Sequence, residues 1–179
     1  MMDRKPEETT QPHRKPNRLK NYDYSTNGAY FITICTKDRR NFFWNKQELN
    51  CRGDLWSSLR DDVLSDYGVI VTNEIKKIAE VYGGTVEMAN YVVMPNHIHL
   101  LLALYNDVPD GSGRPKVAPT TSRIVQQFKG AVTKKLGFSP WQKLYYDHVI
   151  RNYHDFLQHW KYIDENPIRW LNDKYYNTM

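Results

Sequence analysis

The chain has 179 residues, of which 40% are hydrophobic and 25% charged, a composition that suits one globular domain and excludes wholesale disorder. No apolar run approaches the roughly 20 residues that a membrane-spanning helix needs, and the polar N-terminus lacks the apolar stretch of a secretory signal. Two cysteines, Cys35 and Cys51, are too few for a disulfide framework or a four-cysteine zinc site. We therefore predict a single-domain cytoplasmic protein with no membrane partner.

Basic residues are concentrated in two segments of a chain whose net charge is +5. One is the N-terminal arm over residues 1–20, which we predict to be flexible because prolines interrupt its charges. The globular domain is then expected over residues 21–175. The other basic segment, residues 121–135, carries no acidic side chain. Both segments favour a polyanionic partner, although solubility explains each single lysine more simply.

The first predicted elements are a strand and a helix. β-branched and aromatic residues cluster over residues 29–36, directly after an Asn-Gly turn signal. Apolar residues from Val71 to Ile78 then recur at helical spacing, and Gly83 marks the end of that helix.

A β-hairpin is the next predicted element. Two strand-like apolar runs, residues 86–94 and 97–104, are separated only by Pro95 and Asn96, and so short a connection is typical of paired antiparallel strands.

Three further elements follow a turn-rich loop over residues 106–120. We predict a helix over 122–136, a short strand over 145–151 and a last helix over 153–166 that begins at Asn152. The order of strands and helices indicates an α+β fold, in which an antiparallel sheet is covered by helices on one face.

The sequence His97-Ile98-His99 lies on the second strand of the predicted hairpin. Alternation along a strand places both imidazoles on one face and Ile98 on the other. Their Cα atoms are then about 6.5 Å apart, close enough for both rings to bind one divalent ion. Two partly buried histidines that hydrogen-bond to their neighbours are the plainer interpretation of the same pattern.

The last predicted helix carries Tyr162 and Asn166 one turn apart. Both lie off its predicted buried stripe, which includes Trp160 and Ile163. A tyrosine beside a bound cation can act as a nucleophile because the cation stabilises its anion, and the amide oxygen of Asn166 could be a third metal ligand. A surface tyrosine and a helix-ending asparagine are the structural interpretation, which the chain's 13 tyrosines make the simpler one for any single residue.

Candidate DNA contacts come from both basic segments and from the strand that precedes the last helix. DNA binding requires a basic surface that follows the phosphate backbone, and we expect the basic face of the 122–136 helix to look onto the histidine site. The candidates are Arg14, Lys15, Arg18, Lys20, Arg123, Gln127, Lys129, Lys134 and His148, the last being either structural or DNA-facing.

Four motifs occur in order along the chain: YVVMPNHIHLLL, SRIVQQFKGAVTKKLG, WQKLYYDHVIRN and YIDENPIRW. Together with the N-terminal RLKNYDYSTNGAYFITICTKDRR they resemble the REP-associated tyrosine transposases. That family belongs to the single-tyrosine branch of the HUH (histidine–hydrophobic–histidine) nuclease superfamily. The resemblance runs from about Arg18 to Trp170.

The resemblance implies a ferredoxin-like fold and a transposase that acts on single-stranded DNA with a folded hairpin. It matches His97 and His99 to a metal-binding pair, Tyr162 to the nucleophile and Asn166 to the third metal ligand, where related enzymes usually carry glutamine. It also implies Mg²⁺ or Mn²⁺ as cofactor, a 5′-phosphotyrosine intermediate with release of a 3′-hydroxyl, and action in the bacterial cytoplasm at the nucleoid.

Other functions are compatible with the same residues. A domesticated hairpin-DNA-binding protein would keep the fold without cleaving, although it would be free to lose the four site residues that are all present here. A metal-dependent phosphodiesterase would use water and leave Tyr162 structural. Tyr145 and Tyr146 are rival nucleophiles, but neither has a helical oxygen partner four residues later. The sequence fits a monomer and equally a homodimer in which Tyr162 serves the other subunit's histidines.

Overall fold

The structure is a computed structural model that describes residues 22–45, 63–105, 119–172 and 176. The predicted N-terminal arm and most of the predicted 106–120 loop lie outside the described residues. The domain limits therefore stay predictions.

Four strands form one antiparallel sheet: β1 (Gly28–Cys35), β2 (Val86–Met94), β3 (His97–Leu104) and β4 (Tyr146–Val149). Their order across the sheet is β2-β3-β1-β4, so β2 and β3 are the predicted hairpin and β3 is an interior strand. All but one residue of β3 are buried. The predicted α+β class with an antiparallel sheet is confirmed.

Three helices complete the fold: α1 (Asp66–Tyr82), α2 (Thr121–Leu136) and α3 (Tyr153–Glu165). The predicted start of α3 is confirmed, because the Asn152 side chain accepts a hydrogen bond from the Asp155 amide and so satisfies one of the free N–H groups of the first turn. The backbone of α1 ends at a left-handed glycine, as the sequence predicts, which allows the chain to leave the helix without a side-chain clash.

The helices lie on both faces of the sheet. Ile32, Ile98 and Leu100 point to the face covered by α1 and α2, where the main apolar core lies. The opposite face is covered by α3, whose Ile163 packs on Phe31 and other apolar residues in a much smaller cluster. The expectation that all helices cover one face is therefore wrong. Because β3 is buried on both sides and carries Leu101 on the same face as the two histidines, its pattern does not tell on which side α3 lies.

The predicted buried stripe of α3 is confirmed at Ile163 but wrong at Trp160, and Asn166, predicted to lie off the stripe, is buried. Trp160 is 37% exposed, whereas Ile163 is 1% exposed and is the one buried residue of the helix.

No helix in the described ranges is long and apolar enough to cross a membrane.

Candidate active site

His97 and His99, called the histidine pair below, lie on β3 and face α3. Their side chains are 0% and 1% exposed. Period-2 alternation brings the two rings together, so that their Nε2 atoms are 3.1 Å apart and their planes are inclined by 71°. Two inclined imidazoles can direct lone pairs at one shared point between them.

The Nδ1 atoms of the pair are held by neighbours. His97 Nδ1 lies 2.9 Å from Asn96 Oδ1, and the Asn96 amide nitrogen donates to the Arg39 carbonyl. Because Asn96 thereby presents its acceptor oxygen, His97 carries its proton on Nδ1 and keeps a lone pair on Nε2. His99 Nδ1 lies 2.8 Å from Thr33 Oγ1, and that hydroxyl can accept from or donate to the ring. Such contacts are those that orient metal-ligating histidines.

A buried carboxamide near the pair has no hydrogen-bond partner among the described residues. Asn166 is 2% exposed, and neither its Oδ1 nor its Nδ2 makes a hydrogen bond within the described part of the chain. Burying an amide without a partner costs free energy, so a water molecule or an ion is expected at this amide.

The neighbours of Asn166 along the chain locate it beside the pair. The Tyr162 ring lies 5.2 Å from the His99 ring, and the Trp170 ring lies 6.1 Å from the His97 ring, centroid to centroid. Asn166 caps the C-terminus of α3 between those two residues.

These residues fit a divalent cation. Adjacent ligands of an octahedral ion at about 2.1 Å are roughly 3.0 Å apart, close to the 3.1 Å between the two Nε2 atoms. Two imidazole nitrogens and one amide oxygen form a ligand set that Mg²⁺ or Mn²⁺ accepts.

Tyr162 lies at the edge of this site. Its ring meets the His99 ring edge-on, touches Phe31 at 5.9 Å between centroids and remains 36% exposed. The phenol therefore contacts both His99 and solvent.

The two rival tyrosines lie elsewhere. Tyr145 hydrogen-bonds to Ser122 on the α2 side of the sheet. Tyr146 shares a sheet face with His99, because both pair with Thr33, but two strand spacings separate its Cα from that of His99 by about 10 Å.

A second polar cluster, which we call the Asp155 cluster, consists of His148 on β4 with Asp155 and His159 on α3. Asp155 Oδ2 lies 2.9 Å from His148 Nε2, and Asp155 Oδ1 lies 3.0 Å from His159 Nδ1. The three groups offer ligand atoms within 4.8 Å of one another, so they could hold a metal ion. Of these three residues only His148 was a predicted candidate, as structural or DNA-facing, and its bond to Asp155 favours the structural alternative. The signal for its partners was the i, i+4 spacing of Asp155 and His159.

The charge state of Asp155 follows from its surroundings. Burial raises the pKa of Asp155, but the hydrogen bonds from the Arg151 amide and from His148, together with the positive charge of the nearby imidazoles, outweigh burial and hold this pKa below its usual range. An ionised Asp155 is an acceptor only, so His148 Nε2 and His159 Nδ1 both carry the protons that face it.

The basic residues of α2 lie on the far side of the sheet from the histidine pair. Because α2 packs on the Ile98 face of β3, the expectation that its basic face looks onto the histidine site is wrong. Three candidates are exposed on α2: Arg123, Gln127 and Lys134. The side-chain Oε1 of Gln127 accepts a hydrogen bond from the Tyr82 hydroxyl. Their contact with DNA stays a prediction.

Lys129 is different from its neighbours on α2. Its ammonium donates to the carbonyl of Gln142 at 2.8 Å and lies near the carbonyls of the next two residues. Burial lowers the pKa of Lys129. This side chain therefore ties the 142–144 segment to α2. The other candidates Arg14, Lys15, Arg18 and Lys20 lie outside the described residues.

Comparisons with known proteins agree with the fold and with the motifs. No family model matches the chain. An uncharacterized protein of Haemophilus influenzae is 31% identical over 185 residues, which cover 92% of this chain and 93% of that protein. A putative REP-associated tyrosine transposase of the same organism is 25% identical over 160 residues, covering 84% and 77%.

Two solved structures are also similar. A REP-associated tyrosine transposase bound to a REP hairpin superposes with a TM-score of 0.52 at 21% identity, covering 86% of this chain and 74% of that chain. A putative transposase from Deinococcus radiodurans is 19% identical and covers 83% of this chain and 95% of that chain. Its TM-score of 0.44 is too low to show a shared fold. The chain shares the fold of a REP-associated tyrosine transposase, and its sequence resembles that of a putative REP-associated tyrosine transposase.

Proposed function

We propose that the protein cleaves and rejoins single-stranded DNA at hairpin-flanked, REP-like sites, with Tyr162 as the nucleophile. The observation that carries this proposal is the packing of the exposed Tyr162 ring against His99, next to the unpartnered amide of Asn166. Sequence similarity to a putative REP-associated tyrosine transposase supports it, and so does the fold shared with a transposase that was solved with a REP hairpin.

The chemistry is a pair of transesterifications. Tyr162 Oη attacks the scissile phosphorus and loses its proton, the bond from phosphorus to the 3′ oxygen breaks, and that oxygen takes up a proton. The products are a 5′-phosphotyrosine and a free 3′-hydroxyl. Attack of a 3′-hydroxyl on the phosphotyrosine restores the tyrosine and joins the strands. The energy of the phosphodiester bond is conserved throughout, so no nucleotide cofactor is needed.

The histidine pair and Asn166 are the residues that would hold Mg²⁺ or Mn²⁺. The ion would supply charge neutralisation at the scissile phosphate and at the attacking and leaving oxygens. The protein's own contribution is orientation: Asn96 and Thr33 fix the two imidazoles, and α3 holds Tyr162 against one of them.

Trapping a covalent adduct tests this function. A single strand that contains a REP-like hairpin is incubated with the protein and Mg²⁺ or Mn²⁺, with the label on either end. A 5′-phosphotyrosine leaves the protein attached to the 3′-labelled fragment after denaturation, whereas the 5′-labelled fragment runs free and shortened. Cleavage without an adduct would indicate a phosphodiesterase that uses water. Tight hairpin binding without any cleavage would indicate a binding protein, and either result would overturn the proposal.

Charge reversal on α2 tests the predicted DNA surface. Lys134→Glu is expected to weaken hairpin binding and to reduce the slope of log affinity against log salt by roughly one unit, since one phosphate contact is lost. Lys76→Glu, an equal charge change on an exposed site of α1, is the matched control. Lys129→Glu is a poor probe, because it also removes the contacts to the 142–144 segment. An unchanged salt slope in Lys134→Glu, measured by fluorescence anisotropy, would assign Lys134 to solubility alone.

A further inference from the structure

The helix that carries Tyr162 is attached to the sheet by few contacts. Within the described part of the chain, Ile163 is its one fully buried side chain. At its C-terminal end, Asn90 on β2 donates to Asp164. At its N-terminal end, the Asp155 cluster joins it to β4 through His148. Polar contacts at both ends therefore supplement a small apolar one.

The Asp155 carboxylate is the centre of the Asp155 cluster. His148 Nε2 lies 2.9 and 3.2 Å from the two carboxylate oxygens. His159 Nδ1 lies 3.0 Å from the carboxylate and 2.9 Å from the Asp155 carbonyl. The Arg151 amide donates to the same carboxylate at 3.0 Å. Every donor faces an acceptor, and the bonds to an ionised carboxylate are of the stronger kind.

The ring geometry of the cluster argues against a metal ion. The imidazoles of His148 and His159 are stacked, with centroids 4.7 Å apart and planes only 19° apart. Nitrogen lone pairs lie in the ring plane, so those of two nearly parallel rings do not converge on one ion. The histidine pair on β3, with planes inclined by 71°, is the arrangement that does converge.

The cluster is linked to the site by ring contacts. The His159 ring lies 4.6 Å from the Phe31 ring, and Phe31 in turn stacks on His99 at 5.0 Å. Phe31 also meets the edge of Tyr162. His159 precedes Tyr162 by three residues, so the two are neighbours on the same side of α3.

We propose that Asp155 and His148 are positioning residues, which fix α3 to β4 so that the Tyr162 hydroxyl meets a phosphate held at the histidine pair. The role in catalysis rests on the proposed function, whereas the anchoring of α3 does not. Loss of the bond between His148 and Asp155 lets α3 open locally and misplaces the nucleophile without altering the surface that binds the hairpin.

A matched pair of substitutions at His148 tests the proposal. His148→Gln places an amide N–H near the position of Nε2 and keeps the hydrogen bond, but it removes a good metal ligand and any positive charge. His148→Ala removes all three. Since His148 lies outside α3, neither change alters the helix's own sequence. Three quantities are measured for each: the single-turnover rate of adduct formation, the hairpin dissociation constant, and amide hydrogen exchange in α3 and β3.

We expect His148→Ala to form the adduct about tenfold more slowly and to exchange its α3 amides about tenfold faster, with hairpin affinity and β3 exchange unchanged. His148→Gln should behave as wild type in all three. An adduct rate in His148→Gln as low as in His148→Ala would overturn the proposal in favour of a metal ligand or a charge. Unchanged α3 exchange in His148→Ala would overturn the anchoring itself. If the wild-type protein forms no adduct, the proposed function fails, and with it the role in catalysis, while the exchange measurement still decides the anchoring.

Discussion

Tyr162→Phe is expected to bind a hairpin-flanked single strand as wild type does and to form no covalent adduct. The substitution keeps the ring, and therefore the contacts with His99 and Phe31, and removes only the phenolic oxygen. If that oxygen attacks the phosphate, the other phenol on α3, Tyr153, does not replace it, because it lies nine residues away, about 13 Å along the helix. The measurement is a denaturing gel with a 3′-labelled strand, in parallel with a binding titration of the same strand.

The stability of Tyr162→Phe should remain close to that of wild type. The residue is 36% exposed, so the hydroxyl is not deeply desolvated and its removal should cost within about 1 kcal/mol. Thermal unfolding of both proteins checks this. A variant that keeps its fold and its hairpin affinity while losing the adduct separates a chemical role of Tyr162 from a structural one.

Tyr145 and Tyr146 serve as controls, and they differ in how close they lie to the histidine pair. Tyr145 lies on the α2 side of the sheet with its hydroxyl bonded to Ser122, so Tyr145→Phe should retain the adduct. Tyr146 is the more demanding control, because it is 50% exposed and shares a sheet face with His99. An adduct that persists in Tyr162→Phe and disappears in Tyr146→Phe would move the nucleophile from α3 to β4.

Local sequence signals predicted most of the secondary structure. The hairpin strands β2 and β3 have the predicted limits, and α3 begins at the predicted cap. β1 and α2 each begin one residue before the predicted position. These elements are specified by alternation, helical spacing and capping residues within a few positions of one another, which is why a single sequence suffices to find them.

The side of the sheet on which each helix packs could not be predicted from such local signals. The face of the sheet that α3 covers depends on which sides of β1 and β3 are left after α1 and α2 have packed. In β3 the residues on both faces are buried. The run HIHLLLAL is therefore equally compatible with a helix on either side, and the opposite positions of α2 and α3 come from tertiary packing alone.

In the site, too, the features that depend on neighbouring residues were predictable, whereas contacts between different elements were not. The His97-Ile98-His99 spacing predicts two imidazoles on one sheet face, and the structure has them there. The partner of His97 is the adjacent Asn96, but the partner of His99 was not predictable, since Thr33 lies 66 residues from His99 in the chain. Likewise the role of His148 depends on Asp155, which reaches it only because α3 folds back on β4.

Replacing either member of the histidine pair is the second substitution with a large expected effect. His97→Ala or His99→Ala is expected to abolish cleavage, since each would remove one of the about three proposed protein ligands and Mg²⁺ is held weakly by few protein groups. Both rings are almost fully buried, so an alanine also leaves a cavity and destabilises the fold. Loss of activity in these variants alone would not separate chemistry from folding.

Asparagine makes the sharper test. In His97→Asn or His99→Asn the short amide lies near the position of Nδ1 and keeps the bond to Asn96 or Thr33, while the Nε2 ligand is lost. We expect folding to be retained and adduct formation to fall about a hundredfold or more, because a bound metal supplies several kcal/mol of transition-state stabilisation. Binding of Mn²⁺, followed by paramagnetic resonance of the free ion, should weaken in parallel. Wild-type rates of adduct formation in a folded His99→Asn, in Mg²⁺ or Mn²⁺, would show that the pair is structural and that the phosphate is activated elsewhere.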